Sequence, residues 1–199
     1  MRRISLLECL AVTKNISSND GAATGEAAPR AGIEYFVVRK AVLDDIDAIK
    51  RLADTHRHEV GFVVRASLIE SCRREELFVA SRQPTECHEC GGVGSTATES
   101  SVVAFVQGYF RRDRQVTLHG IVVEPTCRRH GVGQALVVAL IDDANRRAMQ
   151  HVLLRCPVDL QANSFYAAIG FQRHRIEEGK RRQLQVWKYD LLPLQASAK

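Results

Sequence analysis

The stretch from Val122 to Ala144, VVEPTCRRHGVGQALVVALIDDA, constrains what this chain can fold into more than any other. A β-branched run ends at Glu124-Pro125, a basic turn carrying two glycines follows, and an amphipathic helix then begins. A helix start presents unpaired backbone N–H groups and the positive end of the helix dipole. Gly131 and Gly133 let oxygen ligands come close to that backbone, while Arg128, Arg129 and His130 add basic character. Read physically, the segment is a cradle for a pyrophosphate. A plain strand-to-helix turn with solvated arginines accounts for the same residues. The segment is not a nucleotide P-loop, because no Gly-Lys-Ser/Thr closes it. Nor is it the dinucleotide fingerprint, because Leu136 stands where the third glycine belongs.

A second segment narrows the reading. The β-rich run His151 to Cys156 leads into Asn163-Ser164-Phe165-Tyr166-Ala167-Ala168-Ile169-Gly170-Phe171. This predicts a short helix over 162–168, with Gly170 at the C′ position, where a positive φ is needed. In a strand–helix–strand–helix unit both helices start near the same edge of the sheet.

Taken together, Arg128-x-x-Gly131-x-Gly133, preceded by Val123 and Pro125, and Tyr166-x-x-x-Gly170-Phe171 resemble the signatures of the GNAT acyl-CoA N-acyltransferases, in that family's order. The resemblance covers roughly residues 36–191. It implies an α/β (α+β) fold, a mixed twisted sheet of about six to seven strands with helices on both faces. It also implies an enzyme that transfers an acetyl group from acetyl-CoA to a primary amine by direct attack in a ternary complex. The acceptor, whether a small amine, a peptide N-terminus or a lysine, is left open.

The same resemblance implies roles for particular residues. The backbone of Ile121, Val122 and Val123 is the strand edge for pantetheine, with an N–H near Val123 for the developing oxyanion. Arg128, Arg129, His130, Gly131, Val132, Gly133 and Gln134 form the pyrophosphate cradle. Tyr166 is the acid that protonates the leaving thiolate; as a residue alone it reads equally as a packed aromatic. The family often places an Asn seven residues before this Tyr, where Asp159 stands here, and Asn163 is the nearby substitute as a coenzyme contact. His119 can accept a proton near neutral pH, and strand alternation puts it on the face of Ile121 and Val123. It also reads as a buried, hydrogen-bonded histidine. His56, His58 and Glu59 lie on the connector that shapes the acceptor pocket in the family, with Glu59 as base or substrate clamp. No single base is assigned.

Composition sets outer bounds. The 199 residues, 45% hydrophobic and 26% charged, suit one globular domain. No apolar run reaches the roughly 18 residues of a membrane span, so no membrane role is expected. The net charge of +5 favours an anionic ligand, which coenzyme A satisfies. The arginines fall in scattered pairs, so the charge does not by itself point to nucleic acid. Residues 1–34, rich in Ala, Ser, Asn and Gly, read as a poorly ordered extension, 35–192 as the acetyltransferase domain and 193–199 as a tail. Within the domain, 83–100 reads as a Cys/Gly-rich insertion. Its Cys87-x-x-Cys90 is half a zinc site, and no metal is assigned. The isolated cysteines point to a reducing, cytoplasmic setting, for a monomer or homodimer. Two other readings stay open: a non-catalytic acyl-CoA sensor that keeps the cradle without needing Tyr166, and an interaction module built on Cys87 and Cys90.

Overall fold

Why the apolar runs fall into strands and helices is visible in the computed structural model, which describes residues 10–13, 35–83 and 101–191. Eight strands form one sheet: β1 (Leu10–Thr13), β2 (Tyr35–Lys40), β3 (Leu77–Gln83), β4 (Ser101–Phe110), β5 (Gln115–Val123), β6 (His151–Pro157), β7 (Gln172–Glu178) and β8 (Gln183–Asp190). Their spatial order is β1-β2-β3-β4-β5-β6-β8-β7. The helices are α1 (Ile46–Thr55), α2 (Arg57–Val60), α3 (Arg65–Arg73), α4 (Val132–Arg146) and α5 (Ala162–Ala168). Every neighbouring pair is antiparallel except β5 and β6, which are parallel and joined through α4, since parallel neighbours need a long crossover. The sheet has one strand more than the upper end of the expected six to seven. The additional strand is β1, inside the segment expected to be an extension, where Leu10–Thr13 pairs with β2. The rest of that extension, the insertion with Cys87 and Cys90, and the C-terminal tail lie outside the described residues.

The sheet carries a core on each face. Beneath α4 and α5, Leu136, Leu140 and Ala144 pack with Val116, Leu118, Val152, Leu154 and Trp187. Burying a side chain such as Leu136 contributes about 1.5–3 kcal/mol. Ala139 of α4 is only partly covered. On the other face Ile46, Ile49 and Ala53 of α1 meet Leu68 of α3, Phe105 and Val122. The start of α1 is tied down by Asp45 rather than Asp44: its carboxylate accepts from the Val42 N–H at 2.8 Å and from Arg39 at 2.6 and 2.8 Å. Burial alone would raise this carboxyl's pKa, but the Arg39 guanidinium and the Val42 N–H outweigh it and hold the pKa below the usual range. The polar connector after α1 is not fully irregular, since α2 forms a single turn within it.

Two irregularities position the site. β5 and β6 pair only from Gln115 opposite His151 to Leu118 opposite Leu154. Beyond that point β6 stays with β8 and β5 stays with β4, so the sheet splays open between them. On its other side β5 is bulged. Gln107 faces Gly120 while Gly108 faces Leu118, leaving His119 as the extra residue.

Candidate functional site

The splay leaves β5 from His119 to Val123 with a strand partner only on the β4 side. The bulge also changes where its side chains go. Leu118, Ile121 and Val123 all turn toward the core beneath α4, and Val122 joins the opposite core. His119 lines a cavity on the opposite side with Phe105 and Gln107. The expectation that His119 shares a face with Ile121 and Val123 is therefore corrected: one inserted residue resets the alternation.

Following β5, Pro125–Cys127 forms a 3-10 turn, and the chain then bends sharply, with Arg129 at φ +65° and Gly131 at φ +77°. The glycine is the N-cap of α4 and adopts the left-handed conformation without a Cβ penalty. The first helical bond runs from the Ala135 N–H to the Gly131 carbonyl at 2.9 Å. Among the described residues, no backbone N–H from Arg129 to Gln134 donates to a protein carbonyl. These orphan donors sit at the positive end of a 15-residue helix. His130 adds a buried Nδ1 that has no partner among the described residues.

Arg128 lies differently from its expected place in the cradle. Its Nε donates to the Val123 carbonyl at 2.9 Å, and its Nη2 donates to Glu59 Oε1 and Oε2 at 2.9 and 3.0 Å. Its charge is thus committed to the strand end and to α2, leaving exposed Arg129 and the N–H groups at the helix start.

α5 closes the other side of the opening. A Cβ placed on Gly133 would lie 3.4 Å from Val123 and 3.5 Å from the Phe165 ring, so the ends of β5, α4 and α5 converge there. Tyr166 is buried among Phe165, Phe171 and Trp187, with ring centroids 5.3, 6.0 and 6.5 Å away. Burial, reinforced by Cys156, pushes its phenol pKa well above the usual range. The Cys156 thiol is itself pushed up to about 11 by burial. Both groups are protonated at neutral pH. Gly170 takes the expected C′ place at φ +96°, and the Phe171 N–H returns to the Tyr166 carbonyl at 3.0 Å.

Asn163, expected to contact the coenzyme, is engaged within the protein. Its Nδ2 donates to the carbonyls of Pro157 and Leu160, both at 2.8 Å, and its Oδ1 accepts from Trp187 Nε1 at 2.9 Å. With both kinds of polar atom engaged, it ties the β6–α5 loop to β8. Asp159 turns to Arg182 in the β7–β8 turn, 3.4 Å away.

Glu59 lies 3.4 Å from His58 Nε2 and 4.0 Å from the buried His56 Nδ1, in addition to its contact with Arg128. A cavity of about 180 Å³ lies between the α2–α3 connector and the bulge, lined by Val60, Val63, Phe105, Gln107, His119 and Gly120, among others. The His119 ring stands edge-on to Tyr109, and partial burial, with Arg155 adding, holds its pKa below the usual 6.5. Gln107 was not singled out in sequence. Its only signal is a lone amide within the apolar run 102–110, and here it is buried and donates to the Ser67 and Ser71 hydroxyls at 3.0 and 2.8 Å. Among the described residues no helix is long and apolar enough to cross a membrane.

Comparison with known proteins places this geometry. No curated protein matches the chain. Its fold is similar to that of Ard1 from Thermoplasma volcanium, with a TM-score of 0.63 and 21% identity over 79% of this chain and 98% of that one. It is similar also to the ribosomal-protein-S18-alanine N-acetyltransferase from Escherichia coli, with a TM-score of 0.60 and 17% identity over 82% and 99%. A third similar structure is N-acetylglutamate synthase from Neisseria gonorrhoeae, solved with coenzyme A and N-acetyl-glutamate. Its TM-score is 0.61 at 15% identity, covering 79% of this chain and 35% of the synthase. Over residues 53–171, more than half of its length, the chain matches the model of the acetyltransferase (GNAT) family, and it belongs to that family.

Proposed function

We propose that the protein transfers the acetyl group of acetyl-CoA to a primary amine by direct attack in a ternary complex. The observation that carries this reading is the continuity of the splayed β5 edge with the orphan N–H groups at the start of α4. One is an edge on which an extended amide chain adds as a strand would; the other is an anion site. Acetyl-CoA supplies the activated thioester. The N–H groups of Arg129 to Gln134, with Arg129 and His130, take the pyrophosphate. The edge at Ile121, Val122 and Val123 takes the pantetheine amides, and a backbone N–H near Val123 faces the oxyanion.

The amine nitrogen bonds to the acyl carbon as the carbon–sulfur bond breaks, and one proton leaves the nitrogen. His119, whose lowered pKa keeps it neutral, is the group on the acceptor side able to take that proton. Tyr166 serves the leaving sulfur. The coenzyme's alkyl thiol holds its proton less tightly than this raised phenol, so full transfer from Tyr166 is uphill. Its contribution is a hydrogen bond to the developing thiolate, and the proton released by the amine restores the thiol. The described cysteines are free and buried, which suits a reducing, cytoplasmic setting.

Two measurements test the reading. Acetyl-CoA at 100 times its Kd stabilises a binding protein by about 2.7 kcal/mol, read as a rise in Tm. Release of free thiol on adding amines then reports transfer. No stabilisation at millimolar acetyl-CoA overturns the donor site. Stabilisation without thiol release across small amines, peptides and lysine-containing peptides leaves a non-catalytic acyl-CoA sensor.

A further inference from the structure

Resting on the reading above, we infer that the 180 Å³ cavity beside the bulge selects the acceptor as an α-amine carried next to an uncharged aliphatic side chain. A water molecule's share of liquid is roughly 30 Å³, so the space suits about six heavy atoms, enough for one Leu or Met side chain. Its walls are Val60, Val63 and Phe105, and at Gly120 the lack of a side chain keeps it open: a Cβ there would lie 3.6 Å from Val60. The floor is Gln107, whose Nε2 is held by Ser67 and Ser71. Among the described residues no donor reaches its Oε1, which is free to accept from an incoming N–H. His119 stands beside it on the same wall.

Charge and proton chemistry argue against a lysine side chain or a polyamine. Among the described residues no Asp or Glu lines the cavity to receive a second cation. The ring of Phe62, on the cavity wall, already carries the Arg57 guanidinium at 4.9 Å, so a second cation there meets like charge. An α-amine near pKa 7.7–8.0 is substantially neutral at physiological pH, whereas a lysine amine near 10.4 needs a stronger base than an imidazole. Burying a cationic first side chain in this space would leave a charge unpaired.

Peptide N-termini and small α-amino amides share this chemistry, and thiol release separates them. The panel comprises tetrapeptides beginning Leu, Met, Ala, Asp or Lys, leucinamide and methioninamide, and an N-blocked peptide with one lysine. Leu- or Met-first peptides, or the two amides, are expected to exceed the Asp-first, Lys-first and blocked lysine peptides by about 10-fold or more in kcat/KM. Whichever of these two groups leads identifies the source. Equal or faster reaction of the blocked lysine peptide or of a charged first residue overturns the inference. Val60→Phe, which fills the cavity, is expected to move the preference from Leu to Ala while the rise in Tm with acetyl-CoA stays as in the wild type. An unchanged preference in a variant that still responds to acetyl-CoA overturns it as well. Failure of the wild type to respond to acetyl-CoA removes the donor reading first, and is seen before any acceptor is added.

Discussion

On the proposed donor side of the cleft the groups assigned to binding are mostly backbone amides in one continuous stretch, Ile121 to Gln134, whereas on the proposed acceptor side they are side chains from four elements. Val60 comes from α2, Ser67 from α3, Gln107 from β4 and His119 from β5. A site made of backbone depends on where the chain turns and on which residues lack a Cβ. One made of side chains depends on register, and here a single bulged residue decides which way His119 looks. The two sides should therefore fail differently. Donor binding should tolerate loss of side chains and resist changes in backbone conformation, with the acceptor side behaving in the opposite way.

Tyr166 gives the largest test, because it is the donor-side residue whose side chain is proposed to act at the reacting sulfur. Tyr166→Phe keeps the ring packing against Phe165, Phe171 and Trp187 and removes only the hydroxyl. Loss of this one hydrogen bond to the developing thiolate should lower kcat about 100-fold with acetyl-CoA stabilisation retained. An unchanged kcat would return Tyr166 to the role of a core aromatic. Next in size is Gly131→Val. At φ +77° a β-branched residue is strained by about 2–3 kcal/mol, and relief of that strain moves the N–H groups that follow. Acetyl-CoA affinity measured by calorimetry should fall at least about tenfold. Equal affinity would mean that the start of α4 does not hold the phosphates.

The same contrast explains what the sequence makes legible. Gly131, Gly170 and the apolar spacing of α1 and α4 report local geometry, which is written in neighbouring residues, and the elements they predict are present. β1 was not legible, because Leu10–Thr13 is short and sits among Ala, Ser and Asn, and only pairing with β2 makes it a strand. The direction of His119 was hidden for another reason. A bulge is a relation between two strands, so alternation along β5 alone gives the wrong face. Gln107 was passed over because one amide in an apolar run has no periodicity. Its partners Ser67 and Ser71 lie 40 and 36 residues away. Arg128 shows the reverse case: its place in the motif is legible, while its partner Glu59, 69 residues earlier, is not.

Asn163 provides a smaller effect that separates scaffold from site. Asn163→Ala strips a partner from the carbonyls of Pro157 and Leu160 and from the buried Trp187 N–H. The loss should be about 2 kcal/mol, lowering Tm by roughly 4–8 °C in a chain of this size. Acetyl-CoA affinity should change by less than about threefold. A large fall in affinity at unchanged Tm would instead put Asn163 among the coenzyme contacts.

The smallest expected effect is in the pH dependence, and it tests whether the bulge puts a base in the acceptor cavity. For an α-amine acceptor, log kcat/KM falls with slope one below the amine's own pKa near 7.7–8.0, because only the neutral amine attacks. Partial burial holds the His119 pKa below 6.5, so at neutral pH the imidazole is already the proton acceptor. Its protonation becomes limiting only at a lower pH, where the slope should steepen from one to two. A depressed histidine pKa also means that the unfolded chain binds more protons between the two values. Stability from this group is therefore complete above 6.5 and is lost as the pH falls toward the folded pKa. Rates must accordingly be read well below Tm at each pH. In His119→Gln the slope should stay at one throughout, with a lower plateau and unaltered stabilisation by acetyl-CoA. If the second limb persists in that variant, the proton leaves the amine by another route, and the acceptor side, like the donor side, runs on groups other than the side chains that line it.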